Sequence, residues 1–206
     1  MRYTGSKNKL ARREGIDLSL KTPGSKAQSS LLRRLNITPG QHGASRKRKI
    51  TDYGAQLREK QKLKRVYGIS ETQMKNYFAK ANKTEGNTGE LLIQALERRL
   101  DNSVYRLKFA PTRASARQLV NHGHVTVNSK KVSIASYQIV KGDVIEFRRG
   151  KTAKIPYIQE ILEKKDTMPS VWLNKKGTVG KVAEYPTLND FTEEIELQSV
   201  IEFYSR

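Results

Sequence analysis

Apolar residues recur at helical spacing through the middle of the chain and at strand spacing after it. In "SETQMKNYFAKAN", residues 70–82, Met74, Tyr77, Phe78 and Ala81 stand at i, i+3, i+4 and i+7, which is one face of a helix. Ser70 followed by Gln73 is a capping-box start for it. Upstream, "TDYGAQLREKQKLKRVYGI", residues 51–69, sets Tyr53, Leu57, Leu63 and Val66 or Tyr67 among charged residues, an exposed amphipathic helix that Gly68 ends. Residues 82–89 read as a loop, and Thr88 is placed to cap a third helix carrying Leu91, Leu92, Ala95, Leu96 and Leu100.

Pro111 interrupts that pattern, and Thr112 is placed to cap a short helix with Ala114, Ala116, Leu119 and Val120 as its apolar positions and Gly123 as its stop. The period then changes to two in "HVTVN", "KVSI" and "DVIEF", short runs expected to be antiparallel strands. Helices followed by strands predict an α+β fold, not a parallel sheet. "FTEEIELQSVIEFYSR" at the end carries a weaker helical pattern, placed at its start. The first fifty residues are rich in Gly, Ser, Lys and Arg, with turn signals at Pro23-Gly24 and Pro39-Gly40, and predict a mostly irregular arm that orders on a partner.

Charge says what kind of partner. Lys plus Arg number 40 against 20 Asp plus Glu in 206 residues, a formal +20. Such a surplus repels itself unless a polyanion neutralises it, and nucleic acid is the first candidate. The net charge is +14 over residues 1–65, zero over 66–98, +9 over 99–157 and −3 over 158–206. That alternation predicts two basic surfaces separated by a helical body, with an acidic tail folding back onto basic helices or meeting a basic partner. No apolar run is long enough to span a bilayer, and the amino terminus lacks the apolar stretch of a secretory signal, so no membrane role is expected. With no cysteine in the chain, thiolate chemistry and Cys-based zinc are excluded.

The stretch "RASARQLVNHGHVTVNSKKV", residues 113–132, holds the densest candidate chemistry. His122 and His124 could chelate, but zinc needs four donors and the closest acids in sequence are Asp101 and Asp143. No nucleophile or orienting carboxylate accompanies them for catalysis. The arginines carry more. Arg113 and Arg117 are four apart, on one helix face in the first turns after Thr112, where free N–H groups also point outward. With Lys130 and Lys131 in the hairpin turn, and Arg106 and Lys108 before the proline, they predict a phosphate-gripping rim. No acid interleaves from 106 to 131 to make ordinary surface pairs. On this reading both arginines are expendable for stability. Aromatic residues suited to stacking are sparse, which favours helical or junction RNA over single strands.

"RLDNSVYRLKFAPTRASARQLVNHGHVTVN", residues 99–128, resembles the RNA-binding domain of bacterial small-subunit ribosomal protein four. "RYTGSKNKLARREG", "PGQHG", "DYGAQLREKQKLKRVYGISETQ", "GNTGELL", "SYQIVKGDVI" and "VIEFYSR" are similar to that family in the same order. The resemblance implies a non-enzymatic protein that binds a junction in the 5′ domain of small-subunit rRNA early in assembly, contacts ribosomal protein five, and lines the path by which messenger RNA enters. It implies a cytoplasmic protein in the small subunit of a bacterial or organellar ribosome, with no cofactor. Some relatives hold zinc through cysteines near the start; here Asn8 and Ala11 stand in that stretch, and zinc is not expected. Relatives often have glycine after the hairpin asparagine, whereas this chain has Asn128-Ser129, which leaves the turn type open.

The expected rRNA-binding residues are Arg2, Lys7, Lys9, Arg12 and Arg13 in the arm, and Arg58 and Lys62 on the first long helix. Around the small domain they are Arg106, Lys108, Thr112, Arg113, Arg117, Gln118, Asn121, His122, Lys130 and Lys131. Arg46, Lys47, Arg48 and Lys49 match the segment that faces messenger in the family. The expected division is an arm over 1–50, a helical body over 51–98 completed by 183–206, an α+β RNA-binding domain over 99–157 and a connector over 158–182. Alternatives are an RNA-modifying enzyme that docks through the same domain and a translational repressor; the chain outside that domain is short and basic for a catalytic pocket.

Overall fold

The computed structural model describes residues 3–45, 49–148, 152, 155–163 and 169–206. They form an α+β protein of two compact units, the first made of residues 1–89 with 193–206 and the second of residues 90–192.

The first unit begins with α1 (Lys7–Glu14) and α2 (Lys26–Leu32), two short helices in the arm expected to be mostly irregular. Their buried residues are few, Ala11 on α1 and Leu31 on α2, so the apolar periodicity that marks a helix is nearly absent from the sequence there. The body consists of α3 (Asp52–Val66) and α4 (Glu71–Lys83), with Thr51 and Ser70 capping them and the Ser70–Gln73 box formed as expected. Met74, Phe78 and Ala81 are buried, as the stripe predicts.

The tail folds back within this unit. Its helix, α9, spans Leu197–Ser205, later than the sequence pattern suggested, and docks on α3 and α4. Aromatic packing dominates: Phe78 stacks on Tyr204 at 5.1 Å, Tyr53 meets Phe203 at 5.7 Å, and the Lys60 ammonium lies 4.6 Å over the Phe203 ring. The acidic residues of the tail play a smaller part, with Glu202 accepting from the Gln56 amide at 2.8 Å.

One carboxylate gathers the donors of this dock. Tyr204 donates to Glu71 at 2.7 Å, and Lys60 and Lys64 each approach it at 3.0 Å. Burial pushes the Glu71 carboxyl up, but those three hydrogen bonds more than reverse it and hold it at about 2. Tyr204 is raised in turn by burial and by its bond to Glu71. A carboxylate depressed by folding contributes stability that is complete above its ordinary range and lost as pH falls through about 2. Tyr204→Phe is therefore expected to move the acid unfolding of the body to higher pH in a far-ultraviolet circular dichroism titration. An unchanged acid midpoint would mean that the lysines alone set Glu71.

The second unit holds α5 (Thr88–Glu97), α6 (Leu100–Arg106), α7 (Arg113–Asn121), α8 (Pro156–Glu163) and five strands. Asn87, not Thr88, caps α5, its side-chain oxygen accepting from the Gly89 N–H at 2.9 Å. The single helix expected from Leu91 to Leu100 is broken at Arg98-Arg99. There the loop 135–139 pairs with the chain: Leu100 and Asp101 donate to the carbonyls of Tyr137 and Ala135 at 2.8 and 3.2 Å, and Ile139 donates to that of Arg98 at 3.0 Å. The first N–H groups of α6 are thus satisfied by a distant loop, a partner that helical periodicity cannot show.

The sheet is antiparallel in the order β2-β1-β3-β5-β4, with β1 Val125–Val127, β2 Lys130–Lys131, β3 Val144–Phe147, β4 Leu173–Lys176 and β5 Val179–Val182. The expected strand "KVSI" shrinks to β2, and Ile134 is 62% exposed. The expected connector 158–182 instead supplies most of α8 and the hairpin β4–β5. Trp172, Leu173 and Val182 join Leu100, Val104, Leu119, Val120, Val125 and Ile145 in one core. Residues 183–192, expected in the helical body, also belong to this unit.

Candidate nucleic-acid interface

Helix α7 is built as its sequence predicts. Thr112 Oγ1 accepts from the Ser115 N–H and Ser115 Oγ from the Thr112 N–H, both at 3.2 Å, and Gly123 leaves the helix at φ 71°. Ala116, Leu119 and Val120 face the core, while Ala114, Gln118, Asn121 and His122 are exposed.

The arginines do not share that exposed face. Arg113 is buried, with Nε donating to Asn102 Oδ1 at 2.7 Å and its guanidinium 4.6 Å over the Tyr105 ring. Arg117 donates to Asp101 Oδ2 through Nε at 2.7 Å and approaches it through Nη2 at 2.6 Å. Arg106 grips Glu97 with two prongs, at 2.9 and 2.7 Å, and Arg99 grips Asp101 likewise at 3.1 and 2.9 Å. Asn102 ties the two groups together by donating to Glu97 Oε2 at 2.8 Å while accepting from Arg113. The four-residue spacing does put Arg113 and Arg117 on one face, but that face meets α6. The carboxylates come from positions 97 and 101, just upstream of the acid-free interval; Asp101, weighed above only as a metal ligand, is instead the partner of Arg99 and Arg117. Glu97 and Asp101 are themselves four apart, a matching period that was the available signal. Arg113 and Arg117 tie α7 to Asn102 and Asp101 on α6, and the two-pronged pairs Arg106–Glu97 and Arg99–Asp101 fix those acceptors in place.

The hairpin lysines are exposed, and one is aimed. A Cβ at Gly123 would stand 2.4 Å from Lys131 Cε, so the stem of Lys131 lies across the end of α7 beside His122. The turn is now defined: Asn128 and Ser129 have φ 49° and 65°, the type I′ pair. Asn128 anchors it, its amide donating to Asp143 Oδ1 at 2.8 Å and its oxygen accepting from the Val144 N–H at 2.9 Å. Gln118, Asn121, His122, Lys130 and Lys131 therefore form one exposed polar and basic surface over the end of α7 and its adjoining hairpin. Lys108 is half-buried at the end of α6, and Thr112 is buried as the cap.

In the first unit Lys9, Arg13 and Lys49 are exposed, and Lys7 is half-buried and engaged. Arg12 donates to the carbonyls of Ile37 at 2.8 Å and Thr38 at 3.2 Å, closing the loop after α2. Arg58, at 3.3 Å, and Arg65 both pair with Glu14, whose side chain is buried, and Lys62 pairs with Glu59. Burial raises Glu14 despite the lowering influence of Arg65 and Arg58. Arg2, Arg46, Lys47 and Arg48 lie outside the described residues. The rings of His122 and His124 are 6.2 Å apart, and His124 Nδ1 lies 3.1 Å from Thr152 Oγ1. Among the described residues no cluster of three or more His, Asp or Glu could hold a metal, and no helix is long and apolar enough to cross a membrane.

Residues 2–97 match the family described as ribosomal protein S4/S9 N-terminal domain, and residues 98–145 match the S4 domain. The chain is 48% identical over 211 aligned residues to the small ribosomal subunit protein uS4 of Herpetosiphon aurantiacus, covering 100% of this chain and 99% of that protein. It is 49% identical over 209 residues to the proteins of the same name from Xanthomonas oryzae pv. oryzae and Xanthomonas campestris pv. campestris, with the same coverage. The chain belongs to the uS4 family of small ribosomal subunit proteins.

Proposed function

We propose that this chain is a structural, non-enzymatic component of the small ribosomal subunit, located with it in the cytoplasm of a bacterium or in an organelle. It binds a helical junction in the 5′ domain of small-subunit rRNA early in assembly. The observation that carries this reading is the exposed surface of Gln118, Asn121, His122, Lys130 and Lys131, held on a frame made rigid by the buried arginine network. Polar side chains flanked by lysines suit contact with backbone and 2′-hydroxyl groups of helical RNA. Lys9 and Arg13 on α1 offer a second basic surface. Arg46, Lys47, Arg48 and Lys49 line the path of incoming messenger RNA, and the body contacts ribosomal protein five, both by analogy with the family.

Filter binding of the full chain to a transcript of that junction tests the reading. The affinity should fall with salt by nearly one log unit per phosphate contact per decade, and it should exceed the affinity for an unrelated duplex of equal length. Equal affinity for the two RNAs would overturn it.

A further inference from the structure

A second group of lysines sits on the other side of the sheet order, partly beyond the segment that matches the S4 domain. Just past α6 and its cap Leu107, Lys108 has φ 58°, the left-handed conformation that favours glycine at such a position. Its ammonium lies 5.7 Å from the centre of the Tyr105 ring. Across from it, Lys175 on β4 places its ammonium 5.4 Å from the centre of the Phe109 ring. Gly180 brings them together. It pairs with Lys175 across the β4–β5 ladder, and a Cβ there would stand 2.4 and 2.6 Å from the two δ-carbons of Leu107, so the end of α6 presses directly on the hairpin.

Two unfavourable features coincide here. Lys108 occupies a backbone conformation that L side chains resist. Both ammonium groups are half-buried, and neither forms an ion pair with a carboxylate among the described residues. Burial lowers the pKa of both; Arg106 and Arg113 lower Lys108 further, and Lys108 lowers Lys175. The αL conformation closes the helix, with the Phe109 N–H donating to the Val104 carbonyl at 3.1 Å, but glycine would take it without strain, so a lysine there points to use of its side chain. An oxyanion between the two ammonium groups would relieve both the repulsion and the lost hydration.

Resting on the RNA-binding reading above, we propose that Lys108 and Lys175 together hold one backbone phosphate of the rRNA, at a contact separate from the α7 and β1–β2 surface. Each ammonium group lies over an aromatic ring, Lys108 over Tyr105 and Lys175 over Phe109, so the site takes a point charge and reads no base.

The test uses Lys108→Gly and Lys175→Gln, alone and combined, in the full chain. Lys108→Gly relieves the left-handed strain, so a purely structural lysine would show raised stability and unchanged RNA affinity. The expected result is an unchanged or raised Tm together with weaker binding to the junction transcript. The combined variant should flatten the plot of log affinity against log salt by about one unit, and the effect of each single variant should not add, because one phosphate is shared. Wild-type affinity and slope in the combined variant would overturn the proposal while leaving the RNA-binding reading intact. Failure of the wild-type chain to prefer the junction would instead overturn that reading. Amine labelling of Lys108 and Lys175, followed by peptide mass analysis, identifies the source of the phosphate. Protection by the RNA and not by orthophosphate at matched ionic strength is expected; protection by orthophosphate alone would assign the pair to a free anion and overturn it.

Discussion

Glu97→Ala is expected to destabilise the second unit by about 3–5 kcal/mol, the range for removing one member of a buried ion pair. Glu97 is fully buried, and its loss strands the Arg106 guanidinium and one Asn102 donor in a place water does not reach. The chain has one tryptophan, Trp172, which is 2% exposed in the same core, so its fluorescence reports this unit. In urea the midpoint should fall with little change in slope. Arg113→Ala should destabilise in the same assay, and Arg117→Ala should do so less, because the Arg117 side chain keeps 19% of its exposure. Undiminished midpoints for all three would mean that the network is hydrated and contributes little.

Lys130→Gln combined with Lys131→Gln should do the reverse, leaving the urea midpoint within about 0.5 kcal/mol while weakening binding to the junction transcript. Both lysines are exposed, and glutamine keeps most of the Lys131 stem over Gly123. Two lost charge-assisted contacts correspond to roughly a hundredfold in affinity, at about 1.4 kcal/mol each. The salt slope should shrink by about two units. Unchanged affinity would move the RNA contact off the hairpin and leave α7 alone to carry it.

Where the sequence was legible, the information was local. Ser70 with Gln73, Thr112 with Gly123, and the stripe of Met74, Phe78 and Ala81 are settled by neighbours within two helical turns, and each is found as expected. The arginines were legible as a pair but not in direction. A helix face has two possible exposures, and the choice for Arg113 and Arg117 depends on Asp101 and Asn102, sixteen and eleven positions upstream. The break at Arg98-Arg99 and the hairpin β4–β5 depend on pairings across about forty residues, and local propensity says nothing of those. Gln118, Asn121, His122, Lys130 and Lys131 are exposed, as a surface contact requires.

Both units are completed late in the order of synthesis. The core that Leu100, Val120 and Ile145 begin lacks Trp172 and Val182 until some 35 residues after Phe147 have been made, a delay of several seconds at roughly 5–20 residues per second. The first unit waits longer still, because α3 does not receive α9 until residues 197–205 emerge. A growing chain thus displays its basic surfaces before either core is sealed, and the transient apolar faces over β3 and α3 are where a nascent-chain chaperone would be expected to hold it.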